Sequence, residues 1–388
     1  MRAGRETRNC HYKSEWLRMS ADKHPRYRQI AEHIRRQIVS GAYRAGDRLP
    51  TEMEAARLYG VSRVTTAAAL NELARDGLVE RTPRRGTIVR TMSGADRPAG
   101  RPLIACILPD TSYWLANQLL RAIEGGAREA GFNLLFHLAG NSREEEERAI
   151  RQALEAGARG IVLHLQDGET YNAEVLRLVL DGYPVVLVDR YLRGVPCASV
   201  QCDNVAAARS VVEELVSAGH RHICALAYPS KGTSAIEDRL EGYSQALAAV
   251  GISLDRSLVY TEERLRDLPE HWKIPDETVE RFAAYLRGRP RITALFATNA
   301  GVALLAIRAA DRLGLRIPDD LSLVGIDPVE AFPISVRAIT CAVQPGETIG
   351  RTAIDLLCEG LGGKAPRRVL LPTHIEHAGS VSRSRPMD

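Results

Sequence analysis

Apolar side chains in the N-terminal part of the chain recur at helical spacing. Isoleucines stand at every fourth position between residues 30 and 38, which predicts an amphipathic helix that ends at Gly41. The quartet Thr51-Glu52-Met53-Glu54 then forms a capping box, in which a Thr N-cap and a Glu three residues later satisfy the first backbone N–H groups of a helix. A short second helix is therefore expected up to Gly60.

A third helix and a hairpin follow. Ser62 is placed to cap this helix. Its inner face is formed by small and apolar residues, Ala67, Leu70, Leu73 and Ala74. Residues 78–90, LVERTPRRGTIVR, place two strand-like runs on either side of the tight turn Pro83-Arg84-Arg85-Gly86. This order of elements predicts a winged helix-turn-helix, whose third helix lies in the major groove of DNA.

The hydrophobic rhythm changes after residue 102. Short apolar runs alternate with helical stretches and predict buried parallel strands: LIACILP, FNLLFHLA, GIVLHLQ, PVVLVD, ASVQCD, HICALAY, TALFAT, LSLVGI and ITCAVQ. Gly131, Gly157 and Gly219 stand where the intervening helices should end. Roughly ten strands are many for one open sheet, so two doubly wound α/β lobes with a cleft between them are expected.

These patterns divide the chain into stretches of different character. They are a disordered extension (1–23), the winged helix-turn-helix (24–91), a Gly/Pro/Ala-rich linker (92–102), a two-lobed effector-binding and dimerisation domain (103–377) and a tail (378–388). The extension lacks the apolar core of a secretory signal, and no run of eighteen apolar residues predicts a membrane span. The 7 cysteines are widely spaced without a CxxC motif, which fits reduced thiols in a cytosol.

Charge is spread unevenly between the two ends of the chain. Residues 1–91 hold 19 Lys and Arg against 10 Asp and Glu, whereas the remainder holds 33 against 38. A basic N-terminal region on an otherwise acidic chain is typical of a protein whose N-terminal region binds nucleic acid. DNA contacts are predicted at the helix caps, the first turn of the third helix and the hairpin turn: Thr51, Ser62, Arg63, Val64, Thr65, Thr66, Arg84, Arg85 and Gly86. Capping or solvation explains each residue taken alone, and the order of the elements favours the DNA interpretation.

This domain resembles the winged helix-turn-helix of the GntR family of transcription regulators. The resemblance covers the whole domain and is carried by GDRLPTE at 46–52, GVSR at 60–63, DGL at 76–78 and RGT at 85–87. Ala67 departs from the family, which often has Arg at this place in the third helix. The resemblance therefore implies one phosphate or base contact fewer and a different sequence preference.

Polar residues end the predicted strands of the second region, where ligands bind in open α/β sheets. They are Asp110, Asp189, Asn299, Asp327 and Gln344. Arg239 opens a helix after another strand, and Tyr113 and Trp114 are placed to stack on an apolar ligand face. Carboxylates, amides and one arginine suit a polyhydroxyl solute such as a sugar, although Asp and Asn at strand ends also cap helices.

Residues 103–377 resemble the effector-binding core of the LacI family, which is similar to periplasmic sugar-binding proteins. The markers include VDR at 188–190, GHRHI at 219–223, RLEGY at 239–243 and IPDDLSLVGID at 317–327. The family binds its ligand with residues that match Asp189, Arg239, Asn299, Asp327 and Gln344, so the resemblance implies the same role here. Ala300 replaces the Asp of the usual Asn-Asp pair, which leaves the identity of the ligand open.

A GntR-type DNA-binding domain joined to a LacI-type effector-binding core is the arrangement of arabinose-repressor-like regulators. The resemblance implies a cytoplasmic homodimer that represses from double-stranded operator DNA and responds to a small molecule. No cofactor, metal site or catalytic residue is expected, because the histidines at 220, 222, 374 and 377 do not form a zinc pattern and no P-loop, HExxH or GxSxG motif occurs. A sugar-processing enzyme, or a ligand-binding protein with an accessory DNA-binding domain, remains the alternative.

Overall fold

The structure is a computed structural model. The residues that it describes are 26–39, 43, 46–75, 78–82, 86–89, 101–111, 114–140, 142–166, 172–228, 232–262, 274–329 and 338–384. The predicted turn arginines Arg84 and Arg85 and the predicted stacking residue Tyr113 lie outside these ranges. The chain divides along its sequence into an N-terminal unit, residues 1–100, and a C-terminal unit, residues 101–388. Among the described helices, none has both the length and the apolar content needed to cross a membrane.

The N-terminal unit contains the predicted helices and hairpin. Its elements are α1 (Arg26–Val39), α2 (Glu52–Tyr59), α3 (Arg63–Arg75), β1 (Val79–Thr82) and β2 (Gly86–Val89). The capping box is confirmed, because Thr51 Oγ1 accepts the N–H of Glu54 at 3.3 Å while the Glu54 carboxylate accepts the N–H of Thr51 at 2.8 Å. Ser62 Oγ accepts the N–H of Thr65 at 3.2 Å and so caps α3 as expected.

One apolar core holds this unit together. Ile30 of α1, Leu70 and Leu73 of α3, and Val79 of β1 are buried in it. Helix α3 packs against both α1 and α2, so only part of its surface faces outward. Strands β1 and β2 are antiparallel, with Val79 opposite Val89. The arrangement is the helix-turn-helix with a hairpin wing that the sequence predicts.

The C-terminal unit alternates strands with helices. In chain order they are β3 (Leu103–Leu108), α4 (Trp114–Glu129), β4 (Asn133–Leu138), α5 (Arg143–Glu155), β5 (Ile161–Leu163), α6 (Ala173–Leu180), β6 (Val185–Val188), β7 (Ala198–Cys202), α7 (Asn204–Ser217), β8 (Ile223–Ala227), α8 (Ser234–Ala248), a 3₁₀ turn (Arg256–Leu258), β9 (Val259–Thr261), α9 (Asp276–Arg287), β10 (Ala294–Ala297), α10 (Ala300–Leu313), β11 (Ser322–Ile326), β12 (Thr340–Val343), α11 (Gly346–Leu361), β13 (Arg368–Leu371) and β14 (His374–Glu376).

Two sheets divide this unit into two lobes. The first lobe has the strand order β13-β7-β6-β5-β3-β4, with all neighbours parallel. The second has the order β14-β12-β11-β10-β8-β9, in which only β14 is antiparallel to its neighbour among the described strands. Helices cover the inner strands, and β7, β8 and β11 are buried at every position, as is usual for parallel strands covered on both faces. Two doubly wound lobes are thus confirmed.

The chain passes between the lobes at three places. It leaves β7 at Asp203 and enters α7, which packs on the second sheet. It leaves β12 at Gln344 and enters α11, which returns to pack on the first sheet and α4. It finally passes through residues 372–373 from β13 to β14. These crossings place the carboxyl ends of strands from both sheets at the junction between the lobes, where open α/β sheets bind ligands.

Candidate functional site

The first turn of α3 presents residues that the sequence predicts to contact DNA. The side chain of Arg63 is 75% exposed, and Val64 is 79% exposed. Ser62 Oγ and Thr65 Oγ1 lie 2.8 Å apart at the amino end of the helix. The backbone N–H groups and the helix dipole at this end favour a phosphate. An exposed first turn with this chemistry has the properties needed to enter a major groove.

Thr66 is placed differently from its prediction as a DNA contact. It is 0% exposed, and its hydroxyl lies 2.9 Å from the backbone oxygens of both Glu52 and Arg63. Because the hydroxyl lies inside the domain, the structure gives Thr66 the role of tying α3 to the start of α2. Thr51 holds the capping box and stays half-exposed beside this turn.

Glu52 joins the start of α3 to the hairpin, a contact that no motif in the sequence indicates. Its Oε2 accepts the Nε–H of Arg63 at 2.9 Å, and its Oε1 accepts a hydrogen bond from Arg81 of β1. Arg81 also donates to Oδ1 of Asn71 on α3. The hydrogen bonds from Arg63 and then from Arg81 lower the pKa of Glu52. Its partners are 11 and 29 residues away along the chain, which no helical or strand spacing indicates.

Gly86 begins β2 beside the predicted wing turn. Its φ is +87°, and a Cβ at this position would lie 2.8 Å from Nε of Arg48. Glycine avoids both the left-handed strain and the close approach. Gly86, Arg63 and Arg81 line the same concavity between the helices and the hairpin.

In the C-terminal unit, two predicted effector residues share an unusual backbone conformation. Asp189 follows β6 of the first lobe, and Asp327 follows β11 of the second lobe. Their φ angles are 64° and 65°, and they are the only non-glycine residues with positive φ in the described part of the chain. This conformation costs about 1–3 kcal/mol outside glycine and clusters at functional sites. One strained aspartate in each lobe therefore indicates a site that both lobes build.

Arg239 is buried close enough to both carboxylates to act on each of them. It is 4% exposed, its Nε donates to Asn204 Oδ1 at 2.7 Å, and its Nη1 donates to the backbone oxygen of Thr298 at 2.8 Å. Its positive charge acts on both Asp189 and Asp327. The guanidinium is thus held in a fixed orientation by protein groups, and its charge acts on one aspartate in each lobe.

Asp327 is hydrogen-bonded to Gln344, and Gln344 to Cys202. The side-chain Nε2 of Gln344 donates to Asp327 Oδ2 at 2.7 Å, and its backbone N–H donates to Oδ1 at 3.2 Å. The Cys202 thiol donates to Gln344 Oε1 at 3.1 Å. Cys202 ends β7 and Gln344 follows β12, so these hydrogen bonds connect two of the segments that cross between the lobes.

The two aspartates have opposite pKa shifts. Burial acts to raise the pKa of Asp189, but the hydrogen bond from His164 and the charges of His164 and Arg239 outweigh burial, so the pKa falls. His164 Nε2 lies 3.1 Å from Asp189 Oδ2. Burial raises the pKa of Asp327 in spite of Arg239 and Gln344. Asp189 is therefore an anion at neutral pH, whereas Asp327 binds a proton more readily than a free aspartate does.

Two buried oxygens of this site have no hydrogen-bond donor or acceptor among the described residues. They are Oδ1 of Asp189, which is 7% exposed, and Oγ1 of the fully buried Thr298. A buried polar atom without a partner costs about 1–3 kcal/mol, and more when it is charged. A ligand that donates hydrogen bonds would complete both groups.

The other predicted effector residues have additional structural roles. Asn299 Oδ1 accepts the N–H of Val302 at 3.0 Å, so the capping explanation holds for this residue. Asp110 Oδ1 accepts the N–H of Thr111 at 2.6 Å. Trp114 begins α4 and packs against the apolar cores of both lobes. The indole thus lies where the two lobes meet, next to the strand end that carries Asp110.

Charged side chains also join the lobes beside the cleft. Asp238 on α8 accepts a hydrogen bond from Arg193 Nη2 at 2.6 Å and from Tyr191 OH at 3.2 Å. The Arg368 guanidinium lies 3.4 Å from the centroid of the Tyr191 ring, within the range of a cation–π contact. Burial raises the pKa of Asp238, against the opposing charge of Arg193. Tyr191, Arg193 and Arg368 belong to the first lobe, so these contacts tie it to the second.

Both units match known families. Residues 26–89 match the family described as bacterial regulatory proteins, gntR family. Residues 212–381 match the family described as periplasmic binding protein-like domain. The first match spans the helices and hairpin of the N-terminal unit, and the second covers most of the second lobe together with α11 and β13.

Individual relatives span most of the chain. The arabinose metabolism transcriptional repressor of Geobacillus stearothermophilus is 25% identical over 341 residues, 86% of this chain and 91% of the relative. The HTH-type transcriptional regulator CelR of Thermobifida fusca is 31% identical over 254 residues, 64% of this chain and 70% of the relative. A solved structure of a transcriptional regulator CelR–cellobiose complex is 24% identical and superposes with a TM-score of 0.63, covering 86% of this chain and 100% of that one.

Proposed function

This chain belongs to the LacI-like transcriptional regulators that carry a GntR-type helix-turn-helix, and we propose that it is a repressor whose affinity for operator DNA changes when a sugar binds. The observation that carries the sugar part is the set formed by the buried Asp189 and Arg239 and the half-buried Asp327 at the junction of the two lobes. Relatives that are repressors of sugar metabolism support the repressor part.

The first turn of α3 is the part that reads DNA. Arg63 pairs with a base edge or a phosphate, Val64 contacts an apolar base group, and Ser62 with Thr65 holds a phosphate at the helix amino end. The turn Arg84-Arg85-Gly86 contacts the backbone beside the groove. Two chains associate as a homodimer, so the reading helices would lie about 34 Å apart on adjacent half-sites of a palindrome.

The effector is a polyhydroxyl compound held by both lobes. Its hydroxyls donate to the unpartnered oxygen of Asp189 and accept from Arg239, while Asp327, Asn299 and Gln344 contribute from the second lobe and its crossing segment. Trp114 and Tyr113 cover an apolar face of the ring. We propose binding without turnover, in the cytoplasm where the operator is, because the relatives that span most of the chain are transcription regulators.

Lobe closure couples the two sites. A ligand that touches both lobes favours the closed arrangement by its differential affinity for the two states. The contacts of Asp238 with Tyr191 and Arg193 join the two lobes, so a movement of one lobe against the other would change them. A coupling free energy of roughly 1–3 kcal/mol is enough to change operator affinity about 5- to 150-fold.

The test combines ligand screening with DNA binding. Thermal-shift measurements on the full chain with a panel of monosaccharides and disaccharides identify a ligand, since a tight ligand raises the melting temperature. Operator affinity is then measured with and without that sugar. We expect Arg239→Ala to abolish the response, whereas Arg209→Ala, which removes a half-exposed arginine of α7, leaves it intact.

Three outcomes contradict the proposal in different ways. No response to any sugar in either assay contradicts the effector class. A thermal shift without any change in DNA binding leaves only a ligand-binding protein. Conversion of the bound sugar by purified protein supports the enzyme alternative.

A further inference from the structure

An acidic side chain occupies the surface that faces the DNA in the proposed function. Glu52 is the first residue of α2, and its carboxylate lies between Arg63 and Arg81. Its lowered pKa keeps it negative at neutral pH, where it repels the phosphates that its neighbours attract. A carboxylate at this place weakens the general attraction to DNA. Its presence therefore needs an explanation other than overall affinity.

We propose that Glu52 is a positioning residue for sequence discrimination, an inference that rests on the proposed function. Its carboxylate holds Arg63 by Nε and leaves the two terminal nitrogens of the guanidinium available to a base edge. An arginine side chain that is held in this way is not free to change conformation and bind any nearby phosphate. The same negative charge lowers the affinity for duplexes that lack the correct base.

The position of this carboxylate is set by buried structure. The backbone oxygen of Glu52 accepts a hydrogen bond from the buried hydroxyl of Thr66 at 2.9 Å. The capping box of Thr51 fixes the start of α2 directly before it. The Glu52 side chain is partly shielded from solvent, while that of Arg63 is mostly exposed. A shielded, fixed carboxylate beside an exposed guanidinium is a preorganised arrangement.

The second oxygen of Glu52 extends the arrangement to the wing. Arg81 on β1 bonds both to Glu52 and to Asn71 on α3. The Glu52 carboxylate therefore accepts hydrogen bonds from both the hairpin and helix α3. Loss of the carboxylate would release the side chains of Arg63 and Arg81 together.

A purely stabilising ion pair predicts a different result. Exposed ion pairs contribute little to folding stability, so on that explanation removal of Glu52 would leave DNA discrimination unchanged. The positioning role predicts little change in melting temperature and a large change in the ratio of specific to non-specific affinity. These two quantities separate the explanations.

The experiment uses the full chain and begins by selecting a duplex from a random-sequence pool with the wild-type protein. Affinities for the selected duplex and for a scrambled duplex of equal length are then compared at one salt concentration. We expect Glu52→Gln to lower the ratio of these affinities by about tenfold and to raise affinity for the scrambled duplex about two- to fivefold. Glu80→Gln removes an equal charge from an exposed position of β1 and should leave the ratio unchanged.

A double variant tests whether the effect acts through Arg63. In an Arg63→Ala background, Glu52→Gln should change the discrimination ratio by less than about twofold, because interacting positions are not additive. Should Glu52→Gln fail to fold, Glu52→Asp keeps the charge and shortens its reach. That variant should lose discrimination while its affinity for the scrambled duplex stays at the wild-type level.

Each possible failure has a distinct meaning. An unchanged ratio for Glu52→Gln, or an equal loss for Glu80→Gln, overturns the positioning role while the proposed function stands. A wild-type chain that selects no sequence and binds no duplex at low salt overturns the proposed function, and the role of Glu52 with it.

Discussion

Asp189 and Asp327 occupy equivalent places in the two lobes, each directly after an inner strand, each with φ near +65°, and each within the field of Arg239. Their pKa shifts nevertheless differ in sign. A ligand bound between them, as proposed, would meet an anion in the first lobe and a carboxyl group that binds a proton more readily in the second. In the proposed function, a ligand that contacts both lobes shifts the equilibrium between lobe arrangements by its differential affinity for them.

The Asp189→Asn variant should weaken sugar binding by about tenfold or more without unfolding the protein. Asn tolerates the left-handed backbone and keeps the size of the side chain, so the change is mainly the loss of an anion that accepts hydrogen bonds. Hydrogen bonds to charged groups contribute about 1.5–3 kcal/mol, which sets the expected loss. Titration calorimetry with the sugar found by screening measures it.

The matched control is Asp203→Asn, at the end of β7. Asp203 caps α7 by accepting the N–H of Ala206 at 2.9 Å, and Asn is an equally good cap. Its sugar affinity should equal that of the wild type. Equal losses in the two variants would mean that Asp189 has no special place in the cleft.

Sequence patterns predict the inner strands and one sheet edge, β4, but not the other three edges. Buried strands such as β8 and β11 are continuous apolar runs, and those runs are sufficient to recognise them. The strands that were not predicted, β9, β13 and β14, are all edge strands with partly exposed side chains. An edge strand buries one face or less, so its residues carry little hydrophobic signal.

The site was partly predictable for a related reason. Asp189 and Asp327 could be found because each directly follows a recognisable strand, a relation that is local in sequence. Asn204, His164 and Glu52 could not be found, because their roles depend on partners brought near by the fold: Asn204 meets Arg239 35 residues away, and His164 meets Asp189 25 residues away.

The Gly242→Ala variant should destabilise the C-terminal unit by about 1–3 kcal/mol, the usual cost of overpacking. A Cβ there would lie 2.2 Å from the backbone oxygen of Val205, so α8 must move away from α7. That movement also separates Arg239 on α8 from Asn204 on α7, and sugar binding should weaken with stability. Urea unfolding and calorimetry measure the two effects.

The comparison variant is Gly125→Ala on α4, where the added Cβ would have no atom within 4 Å among the described residues outside its own helix turn. Alanine is a better helix former than glycine, so this variant should gain about 0.5–1 kcal/mol. Opposite signs for the two changes are the expected result. A neutral Gly242→Ala would show that the helices do not approach as closely as described.

Stability should fall as the solution is acidified through the ordinary range of histidine, and His220 should account for part of the fall. Burial lowers the pKa of His220 below 6.5, although the hydrogen bond to the Ser382 backbone opposes this shift. The unfolded chain then binds a proton at a higher pH than the folded protein, so the free energy of unfolding decreases as pH falls below 6.5. One histidine contributes at most about 1.4 kcal/mol per pH unit.

Urea unfolding at a series of pH values tests this. His220→Gln should be less stable at neutral pH, because the ring is hydrogen-bonded to Thr293 and Ser322, but its stability should depend less steeply on pH. His374→Gln, at an exposed position of β14, should keep the wild-type slope. An unchanged slope in His220→Gln would assign the pH dependence to other groups.

The paired substitution Arg84→Ala and Arg85→Ala should lower affinity for every duplex and flatten the salt dependence of binding. Each phosphate contact releases condensed counterions, and the slope of log affinity against log salt changes by about 0.9 per contact on duplex DNA. Loss of two contacts therefore predicts a slope that is smaller by about 1 to 2 units, with the ratio of selected to scrambled affinity nearly unchanged. This pattern is the reverse of the one expected for Glu52→Gln, because phosphate contacts carry affinity and base contacts carry specificity.

The paired control Arg256→Ala and Arg291→Ala removes the same charge from exposed positions of the C-terminal unit and should leave the slope near its wild-type value. A wing variant with the wild-type slope would mean that these arginines remain solvated when the protein binds DNA.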